Sequence, residues 1–299
     1  MMLSHISDQS AHEGSGSPYG LDIGLLGVDG VGKSTLTATL VARLEKEGYE
    51  VHVVSWRKWL QTAPPGLARD ILLPMHGAAV RALFADARTA DGLAGTDLLP
   101  PDIGLIDNAI LADLIAQNLH FNDGTGVLAA MQLEAAASVL LRKLVVEPAL
   151  QRGCVVIQES YSYKQLVKQA EVAAHHLRMP RAAIVQLHIT LADMMFNLCR
   201  PSLGVFLTGD LRFAYECRIK DTRGLGPIEH LGDPSLCAYE NYEMLQRAAQ
   251  QHYATFARRC GWPTLNMHAT SLDAAVNEGV ELVLAEITKL SSTPLDHGA

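Results

Sequence analysis

Gly27-Val28-Asp29-Gly30-Val31-Gly32-Lys33-Ser34, with Thr35 behind it, is the stretch that decides how this chain folds. It fits Gly, any four residues, Gly-Lys-Ser/Thr, the pattern of a loop that wraps phosphate. Gly27, Gly30 and Gly32 let the backbone curl until its N–H groups face an anion. Lys33 is placed to reach the β- and γ-phosphates of a bound nucleotide, and the Ser34 hydroxyl to hold Mg²⁺. A helix starting at this point adds its positive end.

The flanks agree with that pattern. Leu21, Ile23, Leu25 and Leu26 form a short apolar run, as a buried strand does. Leu36, Leu40 and Leu44 recur every four residues, one stripe of a helix, and Gly48 suits its stop. Val51 to Val54 is a second strand. Strand, loop, helix and strand make a βαβ unit and predict an α/β fold.

The chain has 299 residues, enough for one large α/β domain, and a formal net charge of −8. The acidic balance argues against nucleic acid as a partner. Five scattered cysteines without a Cys-x-x-Cys pair predict reduced thiols in a cytoplasmic protein, and neither they nor the histidines show metal-ligand spacing. No uninterrupted apolar run has the length of a membrane span. Residues 1–20 are Ser-, Gly- and His-rich and read as a disordered leader; 291–299 read as a loose tail.

Between them the pattern predicts one domain over 21–290. Residues 60–126, with Pro64-Pro65, Pro100-Pro101 and helical segments at 78–87 and 108–119, read as an inserted helical lobe rather than a separate domain. A long helix over 127–150 leads to the strand Cys154–Ile157, and Glu159 follows at the strand's C-terminal end, where ligands gather in open α/β sheets. Helices are expected at 165–176, 182–198, 211–220, 234–259 and 272–289, and strands at 204–208 and 263–267. A carboxylate at a buried strand end needs a partner, so Glu159 is a candidate metal ligand or catalytic group beside Ser34.

This order of pieces resembles the thymidylate kinase family of P-loop nucleotide kinases. Gly27 to Ser34 looks like its Gly-x-Asp-Gly-x-Gly-Lys loop, and Pro148 to Val156 like its Pro-Ala-Leu-x-x-Gly-x-x-Val passage. Pro201-Ser202-Leu203 is similar to a Pro-Asp-Leu that opens a strand in the family, and 210–218 to the helix before its lid. The resemblance implies a P-loop kinase fold, a five-stranded parallel sheet flanked by helices with a lid over 218–232; the 60–126 helical insertion has no counterpart in the minimal family and would lie on the acceptor side. It implies transfer of the γ-phosphoryl group of ATP, with Mg²⁺, to a nucleotide, nucleoside or related small-molecule acceptor, and a homodimer as a possible assembly. Asp29 would face the acceptor side. Arg218 and Arg223, with Lys220, would be the lid cations that neutralise charge on the transferring group.

The departures fall on the acceptor side. The family's Asp-Arg-Tyr is Glu159-Ser160-Tyr161 here, an arginine of its acceptor helix is Ser138, and its Arg-Glu-Pro is Arg57-Lys58-Trp59. Thymidine monophosphate is therefore not the expected acceptor. Arg57, Arg142 (one helical turn beyond Ser138) and Tyr161 are the candidate acceptor contacts. Neither the Asn-Lys-x-Asp of GTPases nor the Ser-Gly-Gly of transporter ATPases occurs. A nucleotide-binding regulator with slow or no hydrolysis is the alternative reading.

Overall fold

Strands β1 (Asp22–Gly27) and β2 (Val51–Val53) flank helix α1 (Lys33–Lys46). The computed structural model describes residues 20–292 apart from 107, 118, 223 and 270. Helices α2 (Trp56–Thr62) and α3 (Leu67–Ala85) follow, then strand β3 (Ala87–Arg88), helix α4 (Asn108–Ala116), strand β4 (His120–Phe121) and helix α5 (Thr125–Leu141). Helix α6 (Glu147–Gln151), strand β5 (Val155–Gln158), helices α7 (Tyr163–His176) and α8 (Arg181–Met194) and strand β6 (Leu203–Thr208) come next. The chain closes with α9 (Leu211–Thr222), α10 (Ala238–Cys260), β7 (Thr264–Asn266) and α11 (Leu272–Ser292).

Five strands form one parallel sheet in the order β2-β5-β1-β6-β7, flanked by helices. Parallel strands covered on both faces are apolar throughout. Accordingly every residue of β1 and β5 is buried, and so is every residue of β6 but its last. The main core gathers Leu25, Leu26, Leu36 and Leu40 from the first βαβ unit with Ile157, Val205, Phe206 and Phe256. Residues 60–126 bring a second core. There Val80, Phe84, Ile106, Leu114 and Phe121 pack against Val127, Val172 and Leu245, and the β3–β4 pair closes the lobe.

Several boundaries differ from those expected. Helix α3 begins eleven residues before 78 and carries Pro74 within it; packing on α5 overrides the low helix propensity of that proline. The helix expected over 127–150 is interrupted by a π-turn at Arg142–Val146. A wider turn accommodates Pro148, which has no N–H and whose ring clashes with the carbonyl four residues back in a regular α-helix. Helix α10 starts at Ala238 rather than 234, because the Cys237 amide donates to Glu240 Oε2 (3.0 Å) and caps it there. Contrary to the expected lack of a span, Arg181–Cys199 is long and apolar enough to cross a membrane by length and composition. Its outer face exposes Val185, Ile189 and Leu198. The leader, except Gly20, and most of the tail lie outside the described residues, as does Arg223.

Candidate functional site

All five strands of the parallel sheet end on the same side, and a cavity of about 730 Å³ opens there. Each strand supplies lining from the residues that follow it: the 29–35 loop after β1, Ser55 to Lys58 after β2, Glu159 after β5, α9 after β6 and His268 after β7. The far wall belongs to α3 and α5. One end of the cavity is thus charged, and the other is apolar, with Val80, Leu83, Phe84, Ile106 and Ile228.

The charged end is shaped by backbone that only glycine adopts easily. Gly30 and Gly32 have φ of +81° and +102°. A Cβ on Gly30 would lie 2.1 Å from the Ala214 carbonyl oxygen, so α9 packs directly onto the loop. Gly32 precedes α1, which starts at Lys33; the first-turn amides of a helix have no intrahelical acceptor. The Lys33 ammonium donates to the carbonyls of Gly27 (2.9 Å) and Val28 (2.5 Å). Gly27 itself ends β1, and Ser34 and Thr35 line the cavity.

Asp29 is the centre of a buried ionic cluster. Its carboxylate accepts from Lys164 and from Lys168 (2.8 Å), and its main-chain carbonyl accepts from the Tyr242 hydroxyl (2.7 Å). Burial would raise the Asp29 carboxyl, but the charges of Lys164, Lys168 and Lys33 overcome it and hold it well below the usual range. Burial, with repulsion from Lys164 and Lys168, pushes the Lys33 ammonium well down against the attraction of Asp29; burial lowers Lys168 as well. Three lysines around one carboxylate leave this end short of negative charge.

Glu159 meets the expectation of a partnered strand-end carboxylate. It is 7% exposed and accepts from Lys58. Burial would raise its carboxyl, but hydrogen bonds from Lys58 and Ser34 and the charges of Lys58 and Lys33 bring it below the ordinary value. Ser34 and Glu159 are therefore side by side. Lys58 stands where the resemblance led to a carboxylate.

Arg57 lines the cavity, and Arg218 does so while paired with Glu229 through Nε (2.8 Å) and Nη2 (2.5 Å). Lys220 is also in the lining. The segment behind Arg218 is packed, with Ile228 and Leu231 buried in the second core. Trp56 stands edge-on to His76, 5.2 Å between ring centres, and its buried Nε1 has no hydrogen-bond partner among the described residues.

Two expected acceptor contacts lie elsewhere. Arg142 pairs with Asp22, a fully buried carboxylate at the opposite end of β1 that also accepts from Gln158 (2.8 Å). Helix α5 leads into β5 across the sheet edge, so one turn beyond Ser138 moves away from the cavity, not along it. Tyr161 is fully buried against Phe256 and Trp262, and its hydroxyl lies 3.4 Å from the Met195 carbonyl. The chain turns inward after Ser160, where the Tyr161 amide donates to the Leu25 carbonyl.

Lys164, Lys168 and Glu134 are among the lining residues that went unmarked in the sequence. The lysines are spaced i, i+4 on the helix right after Glu159-Ser160, and Glu134 lies one turn before Ser138, so both signals were present. Burial raises the Glu134 carboxyl to about 7, against the hydrogen bond from Gln169 (2.9 Å) and the charge of Lys168. It titrates where a general acid or base is most useful. No protein-family model matches the chain, and no curated protein is significantly similar to it.

Proposed function

We propose that this chain is an ATP- and Mg²⁺-dependent phosphotransferase of the P-loop kinase type, acting on an anionic small molecule other than thymidine monophosphate. The observation that carries the proposal is the meeting of Lys33, Ser34 and Glu159 at one end of a cavity that continues to an apolar end. The residues fit a triphosphate and its metal. The glycine loop makes a cradle, Lys33 and Lys168 are held low by burial and by the charge of neighbouring lysines, and a hydroxyl adjoins a carboxylate. When bound, ATP–Mg²⁺ supplies the phosphoryl group and neutralises charge on it; phosphoryl transfer asks the protein mainly for positioning.

Ser34 and Glu159 would hold the metal, and Lys33 with the loop amides the phosphates. Arg57, Lys168 and Arg218 would receive an acceptor's negative group, while Val80, Phe84 and Ile106 cover its apolar body. Trp56 Nε1 offers that body one donor. Glu134 is the candidate base for an acceptor hydroxyl.

The test is an acceptor screen read by acceptor-dependent ADP formation. Lys33→Ala abolishes it while the melting midpoint is kept, because removing one of three clustered lysines relieves repulsion. Unchanged ADP formation in Lys33→Ala overturns the assignment, and so does ADP release that no acceptor accelerates.

A further inference from the structure

Away from the cavity, three helices bring together Glu171 of α7, His188 of α8 and His252 of α10. Their ligand atoms all lie within 4.8 Å of one another. Glu171 Oε1 is 2.6 Å from His188 Nε2 and 3.1 Å from His252 Nε2. His188 is only 4% exposed, yet neither of its ring nitrogens makes a hydrogen bond of acceptable geometry with any of the described residues. At 2.6 Å from a carboxylate oxygen, that means the in-plane direction of Nε2 misses the oxygen. Two imidazoles and a carboxylate are also the donor set that a borderline cation takes in preference to Mg²⁺.

We infer that Glu171, His188 and His252 form a binding site for a transition-metal dication, with Zn²⁺ the best match, separate from the nucleotide site. The two imidazole rings are stacked, 3.6 Å between centres and 18° apart in plane. Ligation turns one ring about its Cβ–Cγ bond so that the two Nε2 lone pairs converge; that torsion is broad in histidine. Three protein ligands leave a fourth position open, facing the side where His252 is one-third exposed. The ion ties α7 to α8 and α10. Helices α7 and α10 also carry Lys164, Lys168, Tyr242 and Gln246 to Asp29, so the metal fixes the spacing of the helices behind the ionic cluster.

The test uses the full chain stripped by chelator and then dialysed against Zn²⁺, with Co²⁺ as the spectroscopic probe. One equivalent of Zn²⁺ is retained per chain, Co²⁺ develops d–d absorption, and the melting midpoint rises by roughly 5 °C at a hundredfold excess over Kd. His252→Ala, at a partly exposed position, keeps the far-ultraviolet circular dichroism of the parent and loses affinity at least tenfold. Glu171→Gln does the same. Absence of retained metal overturns the inference. Retention in both variants also overturns it, as does loss in His52→Ala instead, which would move the ion to the Glu50–His52–Cys154 group.

Discussion

Asp29→Asn tests the ionic cluster directly. The substitution keeps the side chain's shape, the Tyr242 bond to the main-chain carbonyl (2.7 Å) and the Gln246 side chain alongside. It removes only the charge that Lys164 and Lys168 face at 7% and 3% exposure. Removing one partner of a buried ion pair costs about 3–5 kcal/mol, because the remaining charge is left uncompensated. In the parent, Asp29 titrates well below 3.8, so its contribution is present above that value and lost as pH falls through the lower, folded one. Lys33 and Lys168 are depressed from 10.5, so the native state binds fewer protons than the unfolded chain at alkaline pH, and stability rises with pH there. Without Asp29 those lysines fall further, and that rise is steeper. Urea unfolding followed by circular dichroism at neutral and alkaline pH therefore gives a lowered midpoint whose deficit shrinks as pH rises. A loss under about 1 kcal/mol at neutral pH, or a deficit that grows with pH, refutes the electrostatic account.

Glu134→Gln removes a group that titrates at about 7; kcat/KM against pH loses the limb that rises through neutrality as the parent carboxyl deprotonates. Arg142→Met leaves the buried Asp22 with Gln158 as its partner and costs about 3 kcal/mol in urea unfolding, while the KM for acceptor stays unchanged. Tyr161→Phe gives up a long hydroxyl contact (3.4 Å) and shifts stability by less than about 1.5 kcal/mol, with kcat and KM at parent values.

The sheet and its crossing helices were legible because apolar runs and the 27–35 pattern are local signals. Part of the charged end of the cavity was legible too: Lys33 and Ser34 open the helix after β1 and Glu159 follows β5, beyond the strand ends where topology dictates position. Arg142 and Tyr161 were misplaced for lack of direction. Spacing says which side chains share a helix face but not which way that face travels relative to the sheet edge. Arg142 went to satisfy Asp22, a demand visible only once β1 is known to bury its first residue. Glu171, His188 and His252 were beyond reach of spacing altogether, since each comes from a different helix.

Helix α7 is engaged along its whole length. Lys164 and Lys168 hold Asp29, the Lys164 carbonyl accepts from Tyr253 (2.9 Å), and Gln169 donates to Glu134. Glu171 faces the histidine pair, while His175 and His176 reach Asp233 (2.9 Å) and the Leu231 carbonyl (2.7 Å). A slide by one residue, about 1.5 Å, would break all of these ties together. α7 is therefore the fixed jaw of a vice. Any change in the width of the cavity falls to its other walls, α3 and α5 on the far side and α9, whose Arg218 is paired with Glu229.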